Sequence, residues 1–266
     1  MPRANRYFLP GHVWHITHRC HKKAFLLKFA KDRLAWMHWL FESRKRYGLD
    51  VLNYSVTSNH IHLLVHGNEN REIIPRSLQL IAGRTAQEFN LRKKRNGAFW
   101  EDRYHATAVD TDEHLLRCMI YIDLNMVRAD VVNHPAKWFH CGYNEIVDPP
   151  RRYRIVSRGL LAELLRTDME NLSEKYRGQV QASVETTPME RECAWTDSLA
   201  VGRSQFVEGI KSQLGMDAIS RQVEPGSSQV EYTLRESLVF YNAHFGGEKG
   251  VLSLESRLFW DEYADI

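Results

Sequence analysis

The chain has 266 residues, enough for one large domain or two small ones at roughly 100–200 residues each. With 43% hydrophobic and 26% charged residues it can bury a core, which excludes global disorder, and no apolar run reaches the ~18 residues of a membrane span. The net charge of +3 hides an asymmetry: residues 1–150 carry 22 Lys+Arg against 15 Asp+Glu and 12 of the 13 histidines, while the remainder carries 14 against 18, so the first half is suited to a polyanion and the second is not.

Taken in order, His12 to Cys20 follows Pro10-Gly11, is rich in aromatic and β-branched residues, and reads as a strand. Lys31 to Tyr47 places Leu34, Trp36, Met37, Leu40 and Phe41 at helical spacing, with Gly48 as its stop. Val51 to Val56 and His60 to Val65 read as a hairpin about Thr57-Ser58-Asn59. Ile73 to Leu91 is a second helix, ending in the basic run Arg92-Lys93-Lys94-Arg95. Ala98 to Val109 reads as extended. A third helix opens at Asp110, with Glu113 in capping-box spacing, and runs to about Arg128.

The order β-α-β-β-α-β-α predicts an α+β fold: a ferredoxin-like split βαβ, an antiparallel sheet with helices on one face and the other face open for a ligand. Asp148-Pro-Pro-Arg-Arg152 marks the expected boundary, giving a catalytic domain over 1–147 and a mainly helical extension over 148–266. In that extension Gly159–Ala182, Ser198–Leu214 and Tyr232–His244 read as helical, and Glu224–Ser228 as a loop. Its Trp195, Phe206, Val207, Ile210 and Leu214 read as core. The four cysteines are scattered without a C-x-x-C pair, which argues against a disulfide framework and predicts a reducing, cytoplasmic setting.

Two constellations carry chemistry. In Asn59-His-Ile-His-Leu-Leu-Val65 a strand puts His60 and His62 on one face and Ile61, Leu63 and Val65 on the other. Two imidazoles together suit a metal ion, or stand half-exposed on an open sheet. On the third helix His114, Arg117, Tyr121, Asn125 and Arg128 fall within about 40° of one line at ~100° per residue. Tyr121 and Asn125 are neighbours at i and i+4; Tyr121 is either a core tyrosine bonded to Asn125 or a reacting group. Two histidines and an amide oxygen make three ligands with positions left for phosphate oxygens. A phenol, with its pKa near ~10, needs such a cation and an arginine (Arg117 or Arg128) to attack a phosphodiester. Tyr104 and Tyr143 have no ligand partner one helical turn away. The row His12, His15, His18, His21 alternates in facing along a strand, so it is assigned to solvent or DNA, and His66 is a reserve ligand at the rim.

These stretches, with Gly11-His-Val-Trp-His-Ile-Thr-His-Arg19, Phe99-Trp-Glu-Asp-Arg-Tyr104, Tyr121-Ile-Asp-Leu-Asn125 and Gly142-Tyr143, resemble the HUH-type single-tyrosine transposases of the REP-associated kind. The resemblance covers residues 1 to about 146. It implies a metal site at His60, His62 and Asn125 holding Mg²⁺ or Mn²⁺. It implies that Tyr121 is the nucleophile, becoming linked to a 5′-phosphate, and that the substrate is single-stranded DNA carrying hairpins. Two positions depart from the family's usual pattern: Met126 stands where a proline often follows the asparagine, and Asp123 where a histidine is common.

The expected DNA contacts are Arg3 and Arg6 in a basic, aromatic arm, Arg19, Arg84, the run Arg92, Lys93, Lys94 and Arg95, and Arg117 and Arg128 beside the phosphate. The basic run also reads as a solvated helix end. The chain is expected to act off the membrane, as a monomer or homodimer. A DNA-hairpin-binding protein with weak or no cleavage is the alternative function.

Overall fold

The computed structural model describes residues 8–186, 192–226 and 231–236. Arg3 and Arg6 of the arm and residues 237–244 of the expected last helix lie outside them. The first half follows the expected order: β1 (Val13–Arg19), α1 (Ala30–Tyr47), β2 (Asp50–Val56), β3 (His60–His66), α2 (Ile73–Lys93) and β4 (His105–Val109). Gly48 ends α1 in the left-handed conformation at φ 72°, which a residue without Cβ adopts at no steric cost. The strands lie in the order β2-β3-β1-β4 and every pair is antiparallel, as a split βαβ requires.

One face of this sheet carries Ile16, Ile61, Leu63 and Val65, all essentially inaccessible. Helices α1 and α2 cover it with Trp36, Leu40 and Ile81. His18 marks that face: its ring stacks on Trp100 at 4.1 Å, and the Trp100 indole donates to the Ala82 carbonyl of α2. The other face is not left open. Helix α3 (Glu113–Asp123) packs on it, anchored where Asn53 of β2 donates to the Met119 carbonyl (3.3 Å) and to the Asp123 carboxylate (3.1 Å). Helices therefore stand on both faces, because the apolar and polar sides of this sheet each have a partner.

The third helix is shorter than its pattern predicts. It stops at Asp123, and Leu124, at ψ 0°, offsets a last turn, α4 (Asn125–Arg128). The capping box does not form: the Asp110 carboxylate accepts from the Thr111 amide and from Arg203. Burial favours the neutral acid, but these donors win and hold the Asp110 pKa below the usual carboxylate range.

Beyond α5 (Tyr143–Val147) an exposed loop spans 148–154. The expected helix over Gly159–Ala182 is two, α6 (Arg158–Leu164) and α7 (Met169–Thr186), separated at Arg166 with φ 47°. After α8 (Ala194–Asp197), the stretch read as helical from Ser198 begins with a short strand, β5 (Ala200–Gly202), and turns helical only in α9 (Ser204–Leu214). The expected loop at Glu224 is the end of β6 (Arg221–Pro225), and Tyr232–Glu236 is strand β7, not helix. Within β7, Thr233 and Leu234 are buried, and the strand bonds to β5 on one side and β6 on the other. Tertiary pairing here overrides a helical reading of a short segment. The three strands extend the same sheet as β4-β5-β7-β6, with β5 parallel to β4. No described helix is long and apolar enough to cross a membrane.

Candidate active site

A cleft of about 470 Å³ opens on the α3 face of the sheet. Strand β3 contributes His60 and His62, α3 contributes Tyr121, and α4 contributes Asn125 and Arg128. The strand period and the i, i+4 helical spacing thus converge on one place. The offset at Leu124 keeps Asn125 and Arg128 on the cleft side.

The contacts are close. The rings of His60 and His62 lie 5.0 Å apart, and the His62 and Tyr121 rings meet edge to face at 5.8 Å. The Asn125 side-chain amide is 3.0 Å from His62 Nε2. The Arg128 guanidinium sits 4.2 Å over the Tyr121 ring and donates to the Tyr121 carbonyl at 2.6 Å. His60 Nδ1 is 2.7 Å from the Asn59 side-chain oxygen, which can only accept, so that nitrogen carries a proton. On a neutral His60, Nε2 is then the lone-pair nitrogen.

A model of the IS200-like transposase family matches residues 11–125. Over this segment, somewhat under half of its length, the chain is similar to the IS200-like transposases. The match ends on Asn125 and contains both cleft histidines and Tyr121. Among solved structures, a REP-associated tyrosine transposase bound to a REP hairpin is 16% identical, with a TM-score of 0.47 over 55% of this chain and 86% of that one. A candidate transposase from Deinococcus radiodurans R1 is 14% identical, with a TM-score of 0.32 over 48% and 92%. None of the curated proteins matches the chain.

The cleft suits a divalent cation by donor chemistry. Among the described residues no group of three or more His, Cys, Asp and Glu could hold a metal, so two imidazoles need Asn125 as third donor. Asn125 is placed for it: turning its amide by half a rotation brings the oxygen to the His62 side. Such a set carries no charge, which leaves the full +2 of an ion for phosphate oxygens.

Of the expected DNA contacts, Arg19 and Arg128 line the cleft. Arg117 is a correction. Its guanidinium turns to the later part of the chain, 2.6 Å from buried Glu231 and 3.5 Å from Glu192. The polar stripe thus divides, with Tyr121, Asn125 and Arg128 in the cleft and Arg117 in a tertiary ion pair. Arg84 and the basic run belong to α2, on the opposite face of the sheet. Arg84 lies 5.2 Å from the Trp39 ring and Lys93 5.2 Å from the Phe29 ring. Arg92 is paired with buried Asp32. Arg95 donates to Asn90 and to the Ala98 carbonyl. Arg92, Lys93 and Lys94 are all exposed, and Lys94 stands at φ 48° where α2 ends.

Sequence reasoning missed three features. His15, assigned to solvent or DNA, is fully buried and 2.9 Å from His62. Trp195, assigned to the core, is indeed fully buried, and its ring is 6.3 Å from Tyr121, forming the wall behind the tyrosine. Thr196 and Asp197 of the same turn line the cleft from outside the family-matched segment. Only the His15 contact had a signal: β1 pairs antiparallel with β3 so that Thr17 faces His62, and His15 shares Thr17's face one step along. Asp123, the other departure from the family pattern, is buried between Asn53 and the Tyr176 hydroxyl of α7. Burial pushes its carboxyl up to about 7 against the pull of those two donors.

Proposed function

We propose that this protein is a transposase, a metal-dependent single-stranded DNA endonuclease and strand transferase that works at hairpins through a 5′-phosphotyrosine. The observation that carries the reading is the packing of Tyr121 between Arg128 and the His62–Asn125 pair in one open cleft. The Tyr121 phenol oxygen bonds to phosphorus while the bond from phosphorus to the 3′ oxygen breaks. The phenol gives up its proton, and the 3′ oxygen leaves as a hydroxyl. The ester conserves the energy of the broken bond, so a 3′-hydroxyl of another end can reverse the step without an external energy source.

Arg128 places positive charge where the phosphate gains negative charge. Trp195 and Arg128 hold the tyrosine ring in place, so part of the orientation cost is met before DNA arrives. When bound at His60, His62 and Asn125, Mg²⁺ or Mn²⁺ would polarise the phosphate. Imidazole and amide donors favour Mn²⁺ on softness. Arg19 at the cleft, Lys94 and the arm residues Arg3 and Arg6 are the proposed backbone contacts. The charge asymmetry of the sequence supports that assignment, since the cleft is built mainly from the basic half.

The test uses hairpin oligonucleotides with a single-stranded flank and a 3′-end label, incubated with Mg²⁺ or Mn²⁺ and run on a denaturing gel. Wild type should retain the label as a covalent adduct, and Tyr121→Phe should lose it entirely. An undiminished adduct in Tyr121→Phe would remove Tyr121 as nucleophile. Tight binding with no cleavage in either metal would favour the hairpin-binding alternative.

A further inference from the structure

His15 lies on the cleft face of β1, fully buried, with a neighbour on each ring nitrogen. Nδ1 is 2.9 Å from the backbone carbonyl of Trp195. Nε2 is 2.9 Å from Nδ1 of His62, and the two rings lie 5.1 Å apart and nearly parallel. The carbonyl oxygen can only accept, so His15 Nδ1 carries a proton. A dry site with no carboxylate bonded to the ring keeps the imidazole neutral, so Nε2 holds a lone pair. The contact to His62 then has one direction: His62 Nδ1–H donates to His15 Nε2. On a neutral His62 this leaves the Nε2 lone pair on the side of Asn125, where a metal ligand needs it.

The start of this relay is itself fixed. The Trp195 carbonyl also lies 3.2 Å from the Thr107 hydroxyl oxygen. Three residues on, the Ser198 carbonyl accepts from the Thr107 hydroxyl at 2.6 Å, with His105 Nε2 2.9 Å away. The turn 195–198 is therefore bound to β4, and the Trp195 indole fills the space behind it.

We propose that His15 is a positioning residue for His62, and that the Trp195 carbonyl of the chain's later part fixes His15, so that this segment sets which nitrogen of His62 faces the metal. The inference rests on the metal reading above. It gives the region after the family-matched segment a defined part in the chemistry.

The first test needs no metal. In metal-free protein with ¹⁵N-labelled histidine, two-bond ¹H–¹⁵N correlations near neutral pH report the tautomers, with assignment by single substitution. His15 and His62 should both carry their proton on Nδ1; a proton on His62 Nε2 overturns the proposal. The second test is Mn²⁺ affinity by electron paramagnetic resonance. His15→Phe should weaken binding about 10–100-fold, the usual loss for an outer partner of a histidine ligand. His15→Gln, whose amide oxygen can take the His62 proton, should stay within several-fold of wild type. Wild-type affinity in a folded His15→Phe overturns the relay alone. Wild type that binds no Mn²⁺ overturns the metal reading and this role with it. If His15→Phe does not fold, the tautomers of the wild-type protein decide.

Discussion

At the scale of single residues, the buried histidines differ in what keeps them neutral. His15 is held near pKa 4 by burial, partly offset by its bond to the Trp195 carbonyl. His140, where the chain returns beside β2, is also held at about 4, by burial and then by the charge of Arg33. Its carbonyl accepts from the Val56 amide, and its ring lies 5.4 Å from Trp138. Between pH ~6.5 and 4 the unfolded chain binds a proton at His140 that the folded form refuses. The stability this confers is complete above about pH 6.5 and is lost as pH falls toward 4. In urea unfolding, His140→Phe should therefore lose about 1–2 kcal/mol less than wild type between pH 7.5 and 5. Parallel pH dependences of the two proteins would refute the assignment.

The residues legible in the sequence were those whose partners are set by local geometry. His60 and His62 share a face because a strand alternates, and Tyr121 and Asn125 share one because a helix repeats. His15 was not legible, because its partner depends on the register of two strands separated by a helix. Arg117 was not legible because Glu231 lies 114 residues away.

Between elements, the join of α3 to the sheet turns on a glycine. Gly142 opposes Asn53, and a Cβ there would stand 2.2 Å from Asn53 Oδ1 and 3.2 Å from the Tyr54 amide. That oxygen accepts from the Tyr54 amide, and the Asn53 amide holds Met119 and Asp123. An added methyl must displace the side chain that seats the helix carrying Tyr121, the proposed nucleophile. Gly142→Ala should cost about 2–3 kcal/mol in chemical denaturation and lower adduct formation, because the Tyr121 helix loses its seat. A neutral effect on both would mean that Asn53 can shift without moving α3. The motif Gly142-Tyr143 was read as a family signature, and this close approach gives its glycine a physical reason. Of the elements that sequence reasoning misplaced, β5 is a short strand whose parallel partner β4 lies about 90 residues upstream, and β7 is held between nearby β6 and the more distant β5.

At the scale of the molecule, the described later part of the chain is tied to the family-matched segment by charge as well as by strands. The Glu231 carboxylate is inaccessible and sits against Arg117, whose side chain is 31% exposed. Removing the guanidinium leaves a buried acid without its main counter-charge. Arg117→Met should lower stability by about 2–3 kcal/mol, less than for a fully buried pair because water reaches the arginine. Its salt dependence of DNA binding should match wild type. Arg128→Met should flatten that dependence, since the proposed phosphate contact is removed. The reverse pattern would return Arg117 to the cleft.

The parallel pairing of Ala108–Val109 with Ala200–Val201 has one more consequence. A sheet's outermost strand is a template for another chain. Here the chain caps the outer side of β4 with its own β5, so a second copy cannot dock there by strand addition. Among the described residues the exposed border moves out to β6, which carries Gln222 and Glu224 and ends in Pro225, a residue without an amide proton to share. Strands β4, β5 and β7 thus separate this pairing-prone border from β1, at whose side the cleft histidines stand.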